Sequence, residues 1–250
     1  MSQKIRNHID GILLIDKPQD WTSHDVVNFV RRRFKLSKTG HCGTLDPFAT
    51  GLLVLLLGKA TKLQEQLMGQ DKTYTGSILF GSETDTEDRT GKITASADTS
   101  RLKVEDITAA VARFVGPQTQ TPPMVSALKV NGQPLYKLAR KGKTVERAPR
   151  PIMIHSFDLL DIRLEKAEAD FVVRCSKGTY IRTLAADLGR ALGCGAHLQE
   201  LRRLESGSLH VEQASSVEDI KTWELPELTA NIISIEQASA ELLEVSRHAK

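Results

Sequence analysis

Apolar positions along the chain fall into two rhythms. GILLID (11–16) is a short apolar run that predicts a buried strand, and KPQDW after it predicts a turn. Thr22 and Asp25 have the spacing of a capping box, and Val26, Phe29, Val30 and Phe34 then recur at helical spacing. The segment GHCGTLDPFATG (40–51) is crowded with turn formers and predicts a loop. LLVLLLG follows it, a run whose length suits either a buried strand or a helix start. In TYTGSILFG, Tyr74, Ile78 and Phe80 share one face of a period-two pattern, which predicts a strand. GSETDTEDRTGK predicts a polar turn, and VEDITAAVARFV (104–115) an amphipathic helix stopped at Gly116–Pro117. Strands are expected at about 152–164 and 169–175, with SKGTYIRT as a strand-to-helix junction. Ile181, Leu184, Ala185, Leu188 and Leu192 mark a helix ending at Gly193. Strands and helices alternate without a steady βαβ rhythm. This predicts an α+β fold with a mixed or antiparallel sheet flanked by helices.

The chain has 250 residues, 40% hydrophobic and 26% charged, which suits a soluble globular protein. Cys42, Cys175 and Cys194 are far apart and odd in number, which argues against a disulfide framework or a zinc site. The N-terminus has no apolar signal region, and LLVLLL is far short of the roughly 20 residues a membrane span needs. A cytoplasmic protein without membrane contact is expected. Net charge is only +3, but Lys129 to Arg150 holds seven basic residues against Glu146 alone, a local +6 that leaves −3 for the rest. Arg31, Arg32, Arg33, Lys35 and Lys38 form a second basic cluster, while the tail after 204 is acidic. Clustered base on a near-neutral chain points to a polyanion partner, with a solvated lysine-rich loop as the plainer alternative.

Asp46 is the carboxylate within the turn-rich segment. It could cap a turn, since the residue before proline is held extended. It could ligate a metal, but no ligand-spaced cluster is near, and GSETDTEDRTGK lacks the register of a calcium loop. It could be half of a glycosidase pair, though no second motif presents the matching acid. Or it could be a lone nucleophile, which would need a fixed cation nearby to stay ionised in a shielded pocket.

Seven blocks occur in order: GILLIDKP, TSHDVV, GHCGTLDPFATGLLVLLLGKATK, DKTYTGSILFGSETDTED, PPMVSALKVNGQPLYKLARKG, CSKGTYIRTLAADLG and GCGAHLQELRRLESG. Together, over about residues 9 to 210, they resemble the bacterial tRNA pseudouridine-55 synthase family of the TruB type. The resemblance implies an isomerase that converts a T-loop uridine of tRNA to pseudouridine without cofactor or metal. The family's catalytic aspartate falls on Asp46, which attacks either the sugar C1′ or the base C6. Arg182 matches the arginine paired with that carboxylate. Tyr74 matches the tyrosine that stacks on the flipped base and is implicated in removing the C5 proton. Tyr180 and Leu201 match residues lining the base pocket, and His41 the histidine that enters the T-loop. Lys17 and Pro18 match a buttressing Lys-Pro turn. The region matching about 122–150 is a segment that closes on the T-arm, so Lys129, Lys141, Lys143 and Arg147 are expected to bind phosphates.

Cys42 and Thr44 depart from the Thr and Ala common in relatives. Many relatives continue into a PUA-type RNA-binding domain, whereas here about 40 residues with an excess of acidic over basic side chains follow the last motif. The expectation is one catalytic domain over 1–250 with a basic insertion at about 122–150 and a short acidic tail at about 210–250. It would act as a monomer on the tRNA T-arm and need no protein partner. Two competing classes are a non-catalytic tRNA-binding or folding chaperone on the same fold and a carboxylate hydrolase of nucleosides or glycosides. Intact Asp46, Tyr74 and Arg182 argue against the first as sole role, and the missing second acid against the other.

Overall fold

The computed structural model describes residues 6–248 except 127, 131 and 140, with side chains at all of these except 129, 130, 134, 136, 241 and 243–248. In chain order it runs β1 (Gly11–Lys17), α1 (Ser23–Arg33), β2 (Thr39–Cys42), β3 (Thr50–Leu57), α2 (Gln64–Met68), β4 (Lys72–Phe80), β5 (Ser82–Thr84), β6 (Ile93–Ser96), α3 (Val104–Phe114) and β7 (Gly116–Gln120). It continues through β8 (Lys129–Val130), β9 (Gln133–Pro134), α4 (Leu135–Ala139), β10 (Arg150–Arg163), β11 (Glu168–Cys175), α5 (Ile181–Ala191), β12 (Ala196–Ser206), β13 (Leu209–His210), β14 (Ser215–Ser216), α6 (Val217–Thr222), α7 (Leu225–Ala230) and α8 (Ile235–His248). Two compact units result: one from the chain up to Lys72 together with the chain from Arg202 onward, the other from Thr73–Leu201.

In the first unit the strand order is β14-β1-β3-β12, with β2 also on β3 and β13 on β12. β3 is antiparallel to β1 and β2 and parallel to β12, so the sheet is mixed as expected. The LLVLLL run is a strand, and its lack of alternation has a plain cause: both faces are buried. Leu53, Leu55 and Leu57 pack with Leu13, Ile15, Val26, Val30 and Phe34, while Leu52, Val54 and Leu56 pack with Ile12, Leu14, Ala60 and Leu67. The Thr22–Asp25 capping box is present and starts α1, whose buried face is Val26, Val27 and Val30. The acidic tail is folded. Val217, Ile220 and Leu228 close the α1 side of the core, and the Arg33 guanidinium donates to the carbonyl of Trp223 and pairs with Glu224.

One expectation needs correction. The segment 40–51 is not wholly a loop: His41 and Cys42 pair with Leu55 and Val54 in β2–β3, and Thr50 and Gly51 begin β3. Backbone pairing along β3 extends order into a stretch whose composition signals only turns, leaving 43–49 as the irregular part.

In the second unit the order is β12-β4-β11-β10-β7, with β12 contributing its first part. β10 and β11 form a long antiparallel hairpin with Phe157 edge-on to Phe171. The polar stretch 81–92 contains β5 and the tip of the β5–β6 hairpin, so its turn is shorter than the composition suggests. α5 buries Ile181, Leu184, Ala185 and Leu188 as its periodicity requires. In the basic insertion, β8 and β9 form a two-pair ladder followed by α4. Among the described residues no helix is long and apolar enough to cross a membrane.

Candidate active site

Asp46 lies half-buried in the segment joining β2 to β3. Several buried groups fix that segment. The Ser23 hydroxyl accepts from the Leu45 N–H at 2.9 Å and donates to the Leu45 carbonyl at 3.2 Å. The Pro47 carbonyl accepts from the Asp20 N–H at 2.8 Å and from Lys17 Nζ at 3.1 Å. Lys17 is fully buried and also donates to the carbonyls of Pro18 at 2.8 Å and Trp21 at 2.6 Å, so all three ammonium protons have acceptors. Burial pushes its pKa down to about 8, against the pull of the Asp20, Asp46 and Asp16 carboxylates, which favour the charged form. The buttressing expected of Lys17 thus takes the form of hydrogen bonds to the turn before α1 and to the residue after Asp46.

His41 stands at the third position of β2, half-buried, and its Nδ1 has no hydrogen-bond partner. Burial holds its pKa below the usual value, helped by the like charges of Arg203 and His24, so the site favours the neutral imidazole. Cys42 beside it is buried, and burial pushes its thiol up to about 11. It is a packing residue and stays protonated.

In the second unit, Arg182 is the second residue of α5 and 3% exposed. It donates to the carbonyls of Thr86 at 2.9 Å and Val125 at 2.8 Å, and its Nε lies 3.7 Å from the buried Asp88 carboxylate. Asp88 is itself held by the Thr86 hydroxyl at 2.8 Å and by the Thr90 N–H at 2.9 Å and hydroxyl at 2.5 Å. Glu87 has φ +63 and accepts the Thr183 hydroxyl at 2.6 Å; burial raises its pKa, and that hydrogen bond and Arg182 oppose the rise. The stretch that looked like a plain polar turn is therefore the scaffold of Arg182. The only sequence signal for it was the alternation of Thr with Asp and Glu from Thr84 to Thr90, residue types that bond their own backbone in turns.

Tyr180 precedes α5, and Gln120, 3% exposed, clamps its backbone from both sides. The Tyr180 N–H donates to Gln120 Oε1 at 2.8 Å, and Gln120 Nε2 donates back to the Tyr180 carbonyl at 3.0 Å. Arg150 lies over the Tyr180 ring at 5.1 Å and donates to the Gly178 carbonyl at 2.7 Å. Gln120 was not anticipated, and Arg150 only as a member of the basic stretch and not as a support of Tyr180. Tyr74 is half-buried on β4, and Leu201, 8% exposed, is on β12. Lys141 and Lys143 are exposed, whereas Arg147 is half-buried and donates to the Pro122 carbonyl at 3.1 Å. The Lys129 side chain and Arg140 lie outside the described residues. The expected partners Asp46 and Arg182 belong to different units. Among the described residues no three His, Cys, Asp or Glu are grouped to hold a metal ion.

Residues 31–181 match the family model of the TruB family pseudouridylate synthase N-terminal domain, and residues 182–238 that of the tRNA pseudouridylate synthase B C-terminal domain. Fold and motifs thus define a pseudouridylate synthase. Similar proteins include the tRNA pseudouridine synthase B of Opitutus terrae, 47% identical over 238 residues that cover 95% of this chain and 98% of that protein. The tRNA pseudouridine synthase B of Symbiobacterium thermophilum is 50% identical over 215 residues, 86% of this chain and 72% of that one. A crystal structure of a Cbf5-Nop10-Gar1 complex matches with a TM-score of 0.73 at 28% identity, over 92% of this chain and 62% of that chain. The chain belongs to the TruB family, as the seven blocks implied.

Proposed function

We propose that this chain is a tRNA pseudouridine-55 synthase that uses Asp46 as its nucleophile. The observation that carries the reading is the unbroken TruB match over 31–238, which includes Asp46, Tyr74, Tyr180, Arg182 and Leu201. The reaction breaks the N1–C1′ bond, turns the base and joins C5 to C1′. The C5 proton is lost and N1 ends protonated, so no atom or electron is exchanged with a cofactor. Asp46 attacks C1′ or C6, Arg182 keeps the carboxylate ionised, and Tyr74 stacks on the extruded base and removes the C5 proton. Tyr180 and Leu201 line the base pocket. His41 fills the space the base leaves in the T-loop, and the neutral ring that its burial favours suits a base stack better than an imidazolium would. The protein acts as a cytoplasmic monomer on the T-arm of tRNA.

Extruding a base costs a few kcal/mol, which stacking and phosphate contacts must offset. Lys141 and Lys143 suit the second task, being exposed cations in the basic insertion, and Arg147 adds a third although it also braces Pro122. Neutralising Lys141 and Lys143 together should weaken RNA binding and flatten the slope of log affinity against log salt by roughly 0.7 to 0.9 for each phosphate left without its cation. Preference for the target uridine should persist, because phosphate contacts position RNA without reading bases. Binding isotherms over a salt series give the answer, and superimposable lines for wild type and variant would remove these lysines from the interface.

The direct test of function is incubation of the purified protein with T-arm RNA, followed by carbodiimide adduct mapping and primer extension. A single pseudouridine stop supports the assignment. Tight binding without conversion supports the folding-chaperone alternative, and release of free base the hydrolase.

A further inference from the structure

Arg203 heads the fully buried side chains by volume, at 1% exposure. A guanidinium taken out of water must find acceptors, or its burial is strongly unfavourable. It takes two main-chain carbonyls, one on each side of Asp46: Nε donates to Leu52 at 2.7 Å and a terminal nitrogen to Gly43 at 3.1 Å.

Strand pairing explains why the side chain lies there. β1 occupies one edge of β3. On the other edge β2 covers Leu57 back to Val54, and β12 covers Thr50 and Gly51. β2 and β12 therefore share an edge, and the Asp46 segment leaves the sheet between them. Arg203 pairs with Gly51, and its side chain reaches Leu52 on β3 and Gly43, where β2 has just ended. Both glycines fit around it. Gly51 has φ +98, and a Cβ there would lie 2.3 Å from the Arg203 carbonyl oxygen. Gly43 has φ +71, and a Cβ there would lie 2.9 Å from the guanidinium. One residue thus grips the chain at the start of the segment and in the strand that follows it, while Ser23 and Lys17 grip its middle.

Stability alone is a weak reason for an arginine here. An apolar side chain of similar volume in place of a buried charge is often neutral or stabilising. What it cannot do is bind two carbonyls and hold them at a fixed separation, which the planar guanidinium does. We propose that Arg203 is a positioning residue for the Asp46 nucleophile, acting through the loop and not on the RNA; this rests on the assignment of Asp46 made above.

The test compares wild type, Arg203→Met and Arg203→Lys in single-turnover pseudouridine formation and in RNA binding, each rate normalised to the folded fraction by circular dichroism. For Arg203→Met the rate at saturating RNA should fall about 10²-fold, the effect of roughly 1 Å of misplacement, while affinity stays within about threefold. Arg203→Lys should recover part of the rate, because an ammonium retains the charge and donors but has them on one nitrogen, without the fixed separation of Nε and the terminal nitrogen. A wild-type rate per folded molecule in Arg203→Met, or equal losses in rate and affinity, overturns the proposal. Should Arg203→Met fail to fold, Gly43→Ala pushes on one end of the guanidinium and leaves the arginine in place. It should also lose rate and keep affinity, and an unchanged rate overturns the proposal equally. Wild-type protein that binds T-arm RNA without converting it refutes the functional reading first and takes this proposal with it.

Discussion

Asp46→Asn should reduce pseudouridine formation at saturating RNA by at least about 10⁴-fold, the scale on which removal of a group central to covalent catalysis is felt. RNA affinity should stay within a few fold, because the residue is assigned to the reacting nucleotide and not to phosphates. The variant should fold. The amide is nearly the same size, the Asp46 carbonyl still accepts from the Ala49 N–H, and the Ser23 and Lys17 hydrogen bonds go to neighbouring residues. A local consequence follows from Lys17. Asp46 is one of the carboxylates that hold its proton on, so the Lys17 pKa should drop further below about 8 once that charge is gone. A single-turnover time course, run beside a binding isotherm on the same preparation, decides the matter. Conversion at the wild-type rate would eliminate Asp46 as nucleophile, and loss of binding in step with activity would make it a contact residue instead.

How much of this was legible in the sequence depended on whether a feature is local. The capping box at Thr22 and Asp25 and the strand carrying Tyr74 were legible, because each is written within a few residues of itself. The family blocks made Asp46, Arg182, Tyr180 and His41 candidates. The state of LLVLLLG was not legible, since burial of both faces erases the alternation that separates strand from helix. The supports of the site were hidden for a different reason. Arg182 bonds carbonyls 96 and 57 residues away in sequence, and Arg203 one 151 and one 160 residues away. Main-chain acceptors have no residue signature, so no pattern could announce them. Arg202 and Arg203 are adjacent and identical in type, yet Arg202 makes a half-exposed two-point pair with Asp16 while Arg203 is sealed against the Asp46 segment. Strand alternation sends them to opposite faces, and only the pairing of β12 with β3 says which face is which.

Arg182→Ala should be the other severe substitution, and it should act in two ways. The guanidinium donates to Thr86 and Val125 and lies against Asp88, whose side chain is 5% exposed. Removing it leaves a buried carboxylate without its cation and two carbonyls without donors, a loss of about 3–5 kcal/mol of stability when one partner of a buried pair is deleted. Asp88 keeps its bonds from Thr86 and Thr90, which should hold the loss toward the lower end. On the catalytic side, if Arg182 is the cation that keeps Asp46 ionised, the rate at saturating RNA should drop by about 10²–10³-fold, the range for deleting one preorganised electrostatic donor. Arg182→Lys separates the two effects. A lysine restores positive charge near Asp88 but gathers its donors on one nitrogen and lacks the rigid planar fork, so stability should return further than rate does. Denaturant melts and single-turnover rates of both variants, each rate corrected for folded fraction, provide the comparison. If the folded fraction of Arg182→Ala turns over at the wild-type rate, Arg182 is a brace for the Thr84–Thr90 turn alone and the cation serving Asp46 is another residue, with Lys17 the first to test.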